Sequence, residues 1–66
     1  MRTKLKIFRV LQRLSQQAIA GKLGYKHAYY GQVERGVQSG SAEFWARLQA
    51  AFQLTDEQIK ELKQID

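Results

Sequence analysis

Residues 16–33 read QQAIAGKLGYKHAYYGQV, and their spacing predicts two short helices joined by a tight turn at Gly24. Ile19 and Leu23 lie four positions apart and share a helix face, while the small Ala20 beside them lets a second helix cross closely. Glycine tolerates positive φ, the conformation wanted at a helix C-terminus, so Gly24 is the stop. The apolar spacing resumes at Tyr30 and Val33, as the buried stripe of a second helix requires. Ser15 is a favoured N-cap, which places the first helix over Gln16 to Leu23 and the second over about His27 to Arg35.

On the C-terminal side, GVQSG at Gly36 to Gly40 has loop composition, and Ser41 can cap a helix from about Ala42 to Phe52. That helix turns Phe44, Leu48, Ala51 and Phe52 inward and sets Trp45 at the edge of the core. Thr55 and Gln58 form a capping box. They open a last helix, predicted to reach the chain end, with Ile59, Leu62 and Ile65 as its apolar stripe. On the N-terminal side, Leu5, Phe8 and Leu11 define the inner face of a helix from Lys4 to about Gln12. Ile7 and Val10 fall off that stripe.

With 66 residues the chain is one domain at most, able to bury only about 60% of its unfolded surface. An apolar content of 44% without proline suits a small helical bundle better than disorder. There is no cysteine and one histidine, so neither a disulfide framework nor a four-ligand zinc site is expected. No run approaches the roughly 18 apolar residues of a membrane helix, and no signal-peptide core is present, which predicts a cytoplasmic protein without membrane partners. The net charge of +5 is unevenly distributed. Residues 1–35 carry eight lysines and arginines against Glu34 alone, whereas residues 36–66 carry three cations against five carboxylates. A cationic half that contains the helical pair is the electrostatic footprint of a phosphate backbone, or of an acidic protein surface.

The pattern resembles the helix-turn-helix family of phage repressors and Cro proteins, the XRE-like family. Gln16, Ala20, Gly24, Tyr30 and Val33 meet its motif. Glu34, Arg35 and Gly36 reproduce its Glu-x-Gly ending, and Ser41, Leu48, Ala51 and Phe52 match its fourth helix. Leu5, Phe8, Arg9 and Leu14 resemble its first helix, so the likeness covers roughly residues 4–60. It implies an all-α, compact five-helix bundle of the lambda-repressor-like kind, with the helical pair at about 16–35.

The resemblance also implies the working parts. His27, Ala28 and Gln32 fall at base-contacting positions, and their chemistry suits guanine, a thymine methyl and adenine respectively. Gln16, Gln17, Lys26, Tyr29, Arg35, Gln38 and Ser39 would hold the DNA backbone. Arg9 would pair with Glu34, and Leu54, Ile59, Leu62 and Ile65 would supply a weak homodimer contact. No metal or other cofactor is expected, nor catalysis, since no nucleophile and base can be named.

Three departures bear on this reading. Lys26 replaces the usual serine or threonine cap and sets a positive charge at the positive end of a helix dipole, an arrangement a neighbouring phosphate would compensate. Gly31 weakens a helix interior and is read either as room for DNA or as drift on an exposed face. Gly40 stands where the family often has proline, which predicts a more mobile loop. These departures leave open an alternative, a protein-interaction module such as an antitoxin or antirepressor without operator recognition.

Overall fold

In a computed structural model describing residues 1–66, five helices and no strand enclose one core. They are α1 (Thr3–Leu11), α2 (Gln16–Leu23), α3 (His27–Arg35), α4 (Ala42–Phe52) and α5 (Asp56–Lys63). Local chemistry sets most of the boundaries. The Ser15 hydroxyl accepts from the Ala18 amide at 3.0 Å, Ser41 does the same for Phe44, and Thr55 and Gln58 close the capping box. Gly24 at φ 81° and Gly36 at φ 83° end α2 and α3 in Schellman motifs: Tyr25 N–H reaches the Ala20 carbonyl, and Val37 N–H reaches that of Gln32.

Phe44 is the hub of the packing. Its ring centroid lies 5.0 Å from Trp45, 5.4 Å from Tyr25, 5.8 Å from Tyr29 and 6.1 Å from Tyr30, so α3 and α4 are joined through aromatic edges and faces. Leu5, Ile19, Ala20, Leu23, Val33, Leu48, Ile59 and Leu62 complete the core. Each helix is too short to be stable alone, so burial of these stripes is what holds them.

Several expectations need correction. Leu11 is 74% exposed. Two three-residue steps along a helix of 3.6 residues per turn leave it about 120° from Leu5, so a three-step stripe drifts off the core. Ala51 is also exposed, its methyl group too short to reach what the longer Phe52 reaches. Trp45 lies in the core rather than at its edge, covered by Arg2 and Lys63, whose cationic groups sit 5.5 and 5.8 Å from the ring centroid. The last helix stops at Lys63. Beyond it the Asp66 amide donates to the Met1 carbonyl at 2.9 Å, and the Asp66 carboxylate accepts from the amide and hydroxyl of Thr3. These terminal bonds draw the chain out of helical register, leaving Ile65 58% exposed.

The 36–40 loop packs closely against Trp45. Gly40 has φ 80°, which proline cannot adopt, and a Cβ there would stand 2.6 Å from Trp45 Nε1 and 3.1 Å from its Cε2. Gly40→Ala is therefore expected to destabilise by at least ~1 to 2 kcal/mol, the cost of left-handed backbone for an L-residue, with the clash added. Urea denaturation checks this, and an unchanged midpoint would remove the close approach to Trp45.

Candidate nucleic-acid interface

The two helices of the 16–35 segment cross at a polar junction as well as an apolar one. Glu34, near the end of α3, is 1% exposed and accepts a bidentate grip from Arg9 of α1: Nε at 2.8 Å and Nη2 at 3.1 Å. The third Arg9 nitrogen donates to the Leu14 carbonyl at 2.9 Å, fixing the approach to α2. Gln16, at the start of α2, donates from Nε2 to Glu34 at 3.1 Å, and its Oε1 lies 3.3 Å from His27 Nε2 at the start of α3. One carboxylate thus ties α1, α2 and α3 together. The Tyr30 hydroxyl is buried beside this pair without a well-formed hydrogen bond.

Burial acts to raise the Glu34 pKa, yet Arg9, Gln16 and Tyr30 together outweigh it and hold the carboxyl below the ordinary glutamate range. Burial, reinforced by the adjacent carboxylate, raises the Tyr30 phenol. The sign for stability follows from Glu34. Its folded pKa is depressed, so its stabilisation is present at neutral pH and is lost as pH falls through and below the ordinary carboxylate range. The stability gap between the parent and Glu34→Gln is therefore expected to narrow in acid. Urea midpoints measured from pH 7 downward check it, and a gap independent of pH would contradict a depressed Glu34.

The junction orients a polar face. His27 and Ala28 are exposed in the first turn of α3, and Gln32 is half-exposed one turn later. Gln17 and Lys26 are exposed nearby, and Arg35 is exposed at the far end of the helix. Lys26 occupies the N-cap position without a side-chain hydrogen bond, leaving the first turn of α3 uncapped. Gln16 is half-buried and already committed to Glu34 and His27. Tyr29 is half-buried, stacked on Tyr25 at 5.2 Å, with its oxygen accepting from the Ser41 amide at 3.1 Å. Gln38 and Ser39 expose their side chains on the loop after α3.

Gly31 is buried, which excludes drift on an exposed face. A Cβ there would stand 3.2 Å from Arg35 Nη1 and 3.4 Å from Gln16 Oε1, so glycine lets these two polar side chains close over α3. Of the four residues expected at a homodimer contact, Ile59 and Leu62 are only 7% and 8% exposed and belong to the core of their own chain. That narrows the expected contact to Ile65 and the half-buried Leu54.

Arg2 is the residue that sequence reasoning misplaced. Counted with the cationic half, it is only 4% exposed and donates its hydrogen bonds to backbone carbonyls, so its guanidinium is not free to contact a phosphate directly. No composition signal separates such an arginine from a surface one. Arg47 differs in being exposed and paired with Glu43 at 2.6 Å, but it too donates to a backbone carbonyl, that of Leu23 at 3.0 Å, and lies over the Tyr25 ring, closing the C-terminal end of α2.

No curated protein and no solved structure gave a significant match to the chain. A family model described as a helix-turn-helix domain matches residues 1–62, overlapping the α2–α3 pair and its supporting core. With that match along nearly its whole length, and with α2 and α3 joined at Gly24 as its supporting pair, the chain belongs to the helix-turn-helix domain family.

Proposed function

We propose that this chain is a sequence-specific double-stranded DNA-binding regulator of transcription, of the phage or mobile-element repressor or Cro type, that reads the major groove with α3. The observation carrying the reading is the start of α3. It has no capping side chain, carries Lys26 at the N-cap position, and exposes His27 and Ala28 in its first turn, while Tyr30 and Val33 root the helix in the core. A helix held so firmly from behind offers its N-terminal residues to base edges at little further ordering cost.

His27, Ala28 and Gln32 then contact bases. Because Gln16 Oε1 can only accept, His27 Nε2 carries the hydrogen that faces it, and the Nδ1 of the neutral ring is left as an acceptor, suited to the amino group of adenine or cytosine rather than to guanine. Gln17, Lys26, Arg35, Gln38 and Ser39 hold phosphates and set register. Gln16 supports His27 and Glu34, with its backbone amide left for a phosphate. A weak homodimer through Leu54 and Ile65 places two copies on half-sites about 34 Å apart.

Selection of bound duplexes from a random library tests the whole reading. An inverted repeat is expected, and recovery of no preferred sequence would reject base readout. The alternative of a protein-interaction module draws support from the exposed Ile7, Val10 and Leu11 on α1. Ile7 and Leu11 line a groove of about 380 Å³ with Phe8, Leu54 and Leu62. A tight protein partner with no salt-sensitive DNA binding would favour it.

A further inference from the structure

The Arg2 side chain makes five contacts, two of them to the loop between α3 and α4 and the others to α3, α4 and α5. Its Nη1 donates to the carbonyls of Val33 at 2.6 Å and Gln38 at 2.8 Å, and its Nη2 donates to Ser39 at 3.2 Å. Its Nε donates to the Lys63 carbonyl at 3.0 Å, and its guanidinium lies 5.5 Å from the Trp45 ring centroid. Trp45 Nε1 in turn donates to the Ser39 carbonyl at 3.2 Å. The recorded partners of the side chain are carbonyls and not carboxylates, so the buried charge is balanced by backbone dipoles. Two of these carbonyls, Val33 and Lys63, belong to the last turns of α3 and α5, where the helix dipole is negative.

A five-residue loop with glycine at both ends would ordinarily sample many conformations. Here the carbonyls of Gln38 and Ser39 are drawn inward while both side chains remain exposed beside α3. We propose that Arg2 is a positioning residue for DNA binding, fixing the backbone of loop 37–39 so that Gln38 and Ser39 meet phosphate oxygens without first ordering the loop. The same side chain makes the loop depend on the end of α5. This rests on the DNA-binding reading above and extends it to a residue remote in sequence from the α2–α3 pair.

The test is a double-mutant cycle between Arg2→Met and the paired loop substitutions Gln38→Ala with Ser39→Ala. Affinity is measured on the selected duplex at several salt concentrations, under conditions where circular dichroism shows each variant folded. In the parent, the loop substitutions are expected to weaken binding by about tenfold and to leave the slope of log K against log salt unchanged, because neither side chain carries a charge. Arg2→Met should produce a loss of the same order, with the loop substitutions adding nothing further. Gln32→Ala should retain its full effect in both backgrounds. Losses that simply add would overturn the proposal, because a purely stabilising arginine leaves the loop contacts intact in the folded fraction.

If Arg2→Met fails to fold, Trp45→Phe keeps an aromatic ring under the guanidinium but removes the bond to Ser39. A smaller loss, again non-additive with the loop, is expected, and additivity would overturn the proposal there too. A parent that binds DNA and loses affinity with Gln32→Ala, yet shows no coupling to Arg2, defeats this inference alone. A parent that binds no duplex at low salt defeats the DNA-binding reading along with it.

Discussion

Arg9→Ala is expected to lower the unfolding free energy by about 3 to 5 kcal/mol, the cost of leaving one member of a buried ion pair without its partner. The exposed Lys4–Glu61 contact, at 3.9 Å, belongs to the class worth ~0.2 to 1 kcal/mol. The difference lies in geometry and solvent. The Arg9 and Glu34 side chains are 12% and 1% exposed, and two of the three Arg9 nitrogens grip the carboxylate in parallel. Removing Arg9 also abandons the Leu14 carbonyl, and leaves Gln16 alone to satisfy Glu34 across the α2–α3 junction. A domain of this size has ~3 to 10 kcal/mol in total, so the variant should stand near the edge of unfolding at room temperature. Urea denaturation of Arg9→Ala, Glu34→Ala and the double variant measures the coupling directly. A coupling energy indistinguishable from zero would sink the claim that the pair acts as a unit.

Substitutions at Lys26 and Gln32 should separate phosphate binding from base readout. Gln32→Ala removes a half-exposed amide from the reading face of α3, so it should weaken binding to the preferred duplex by ~1 to 3 kcal/mol and relax preference at one base pair. The salt slope should not move. Lys26→Ser acts in the opposite sense on the free protein and on the complex. It replaces an uncapped start of α3 with a residue whose hydroxyl can accept an amide, raising stability by ~0.5 to 2 kcal/mol. Loss of the ammonium should weaken binding to specific and random duplex about equally, and lower the slope of log K against log salt by about 1. Thermal or urea melts together with salt titrations of affinity supply both readings. A Gln32→Ala variant with equal losses on both duplexes would remove α3 from base readout, and a Lys26→Ser variant with an unchanged slope would take Lys26 off the phosphates.

The sequence by itself determined the helix boundaries wherever the determinant was local. Ser15, Ser41 and the Thr55–Gln58 box announce starts because a cap satisfies amides within three residues of itself, and Gly24 and Gly36 announce stops because positive φ is a property of one residue. The α2 and α3 stripes were legible for the same reason, since helical periodicity is read over a single turn or two. Exposure of Ala28 follows from those stripes, since it lies opposite Tyr30 and Val33, whereas His27 is three residues before Tyr30 on the same side and is exposed by its place at the helix end.

Tertiary structure alone decided what depends on residues distant in sequence. Leu11 and Ala51 carry the composition of core residues, yet no element covers them. Ile65 continues a spacing that the contacts of Asp66 with Met1 and Thr3 interrupt. Gly31 lies in an exposed-looking stretch of sequence but under Gln16 and Arg35 in space. Arg2 differs most from its expected place. A terminal arginine in a cationic half reads as solvated surface, because burial of a charge requires several acceptors at once and no local pattern encodes them. Its acceptors come from α3, the loop after it and the end of α5, and they are brought together only when the core closes.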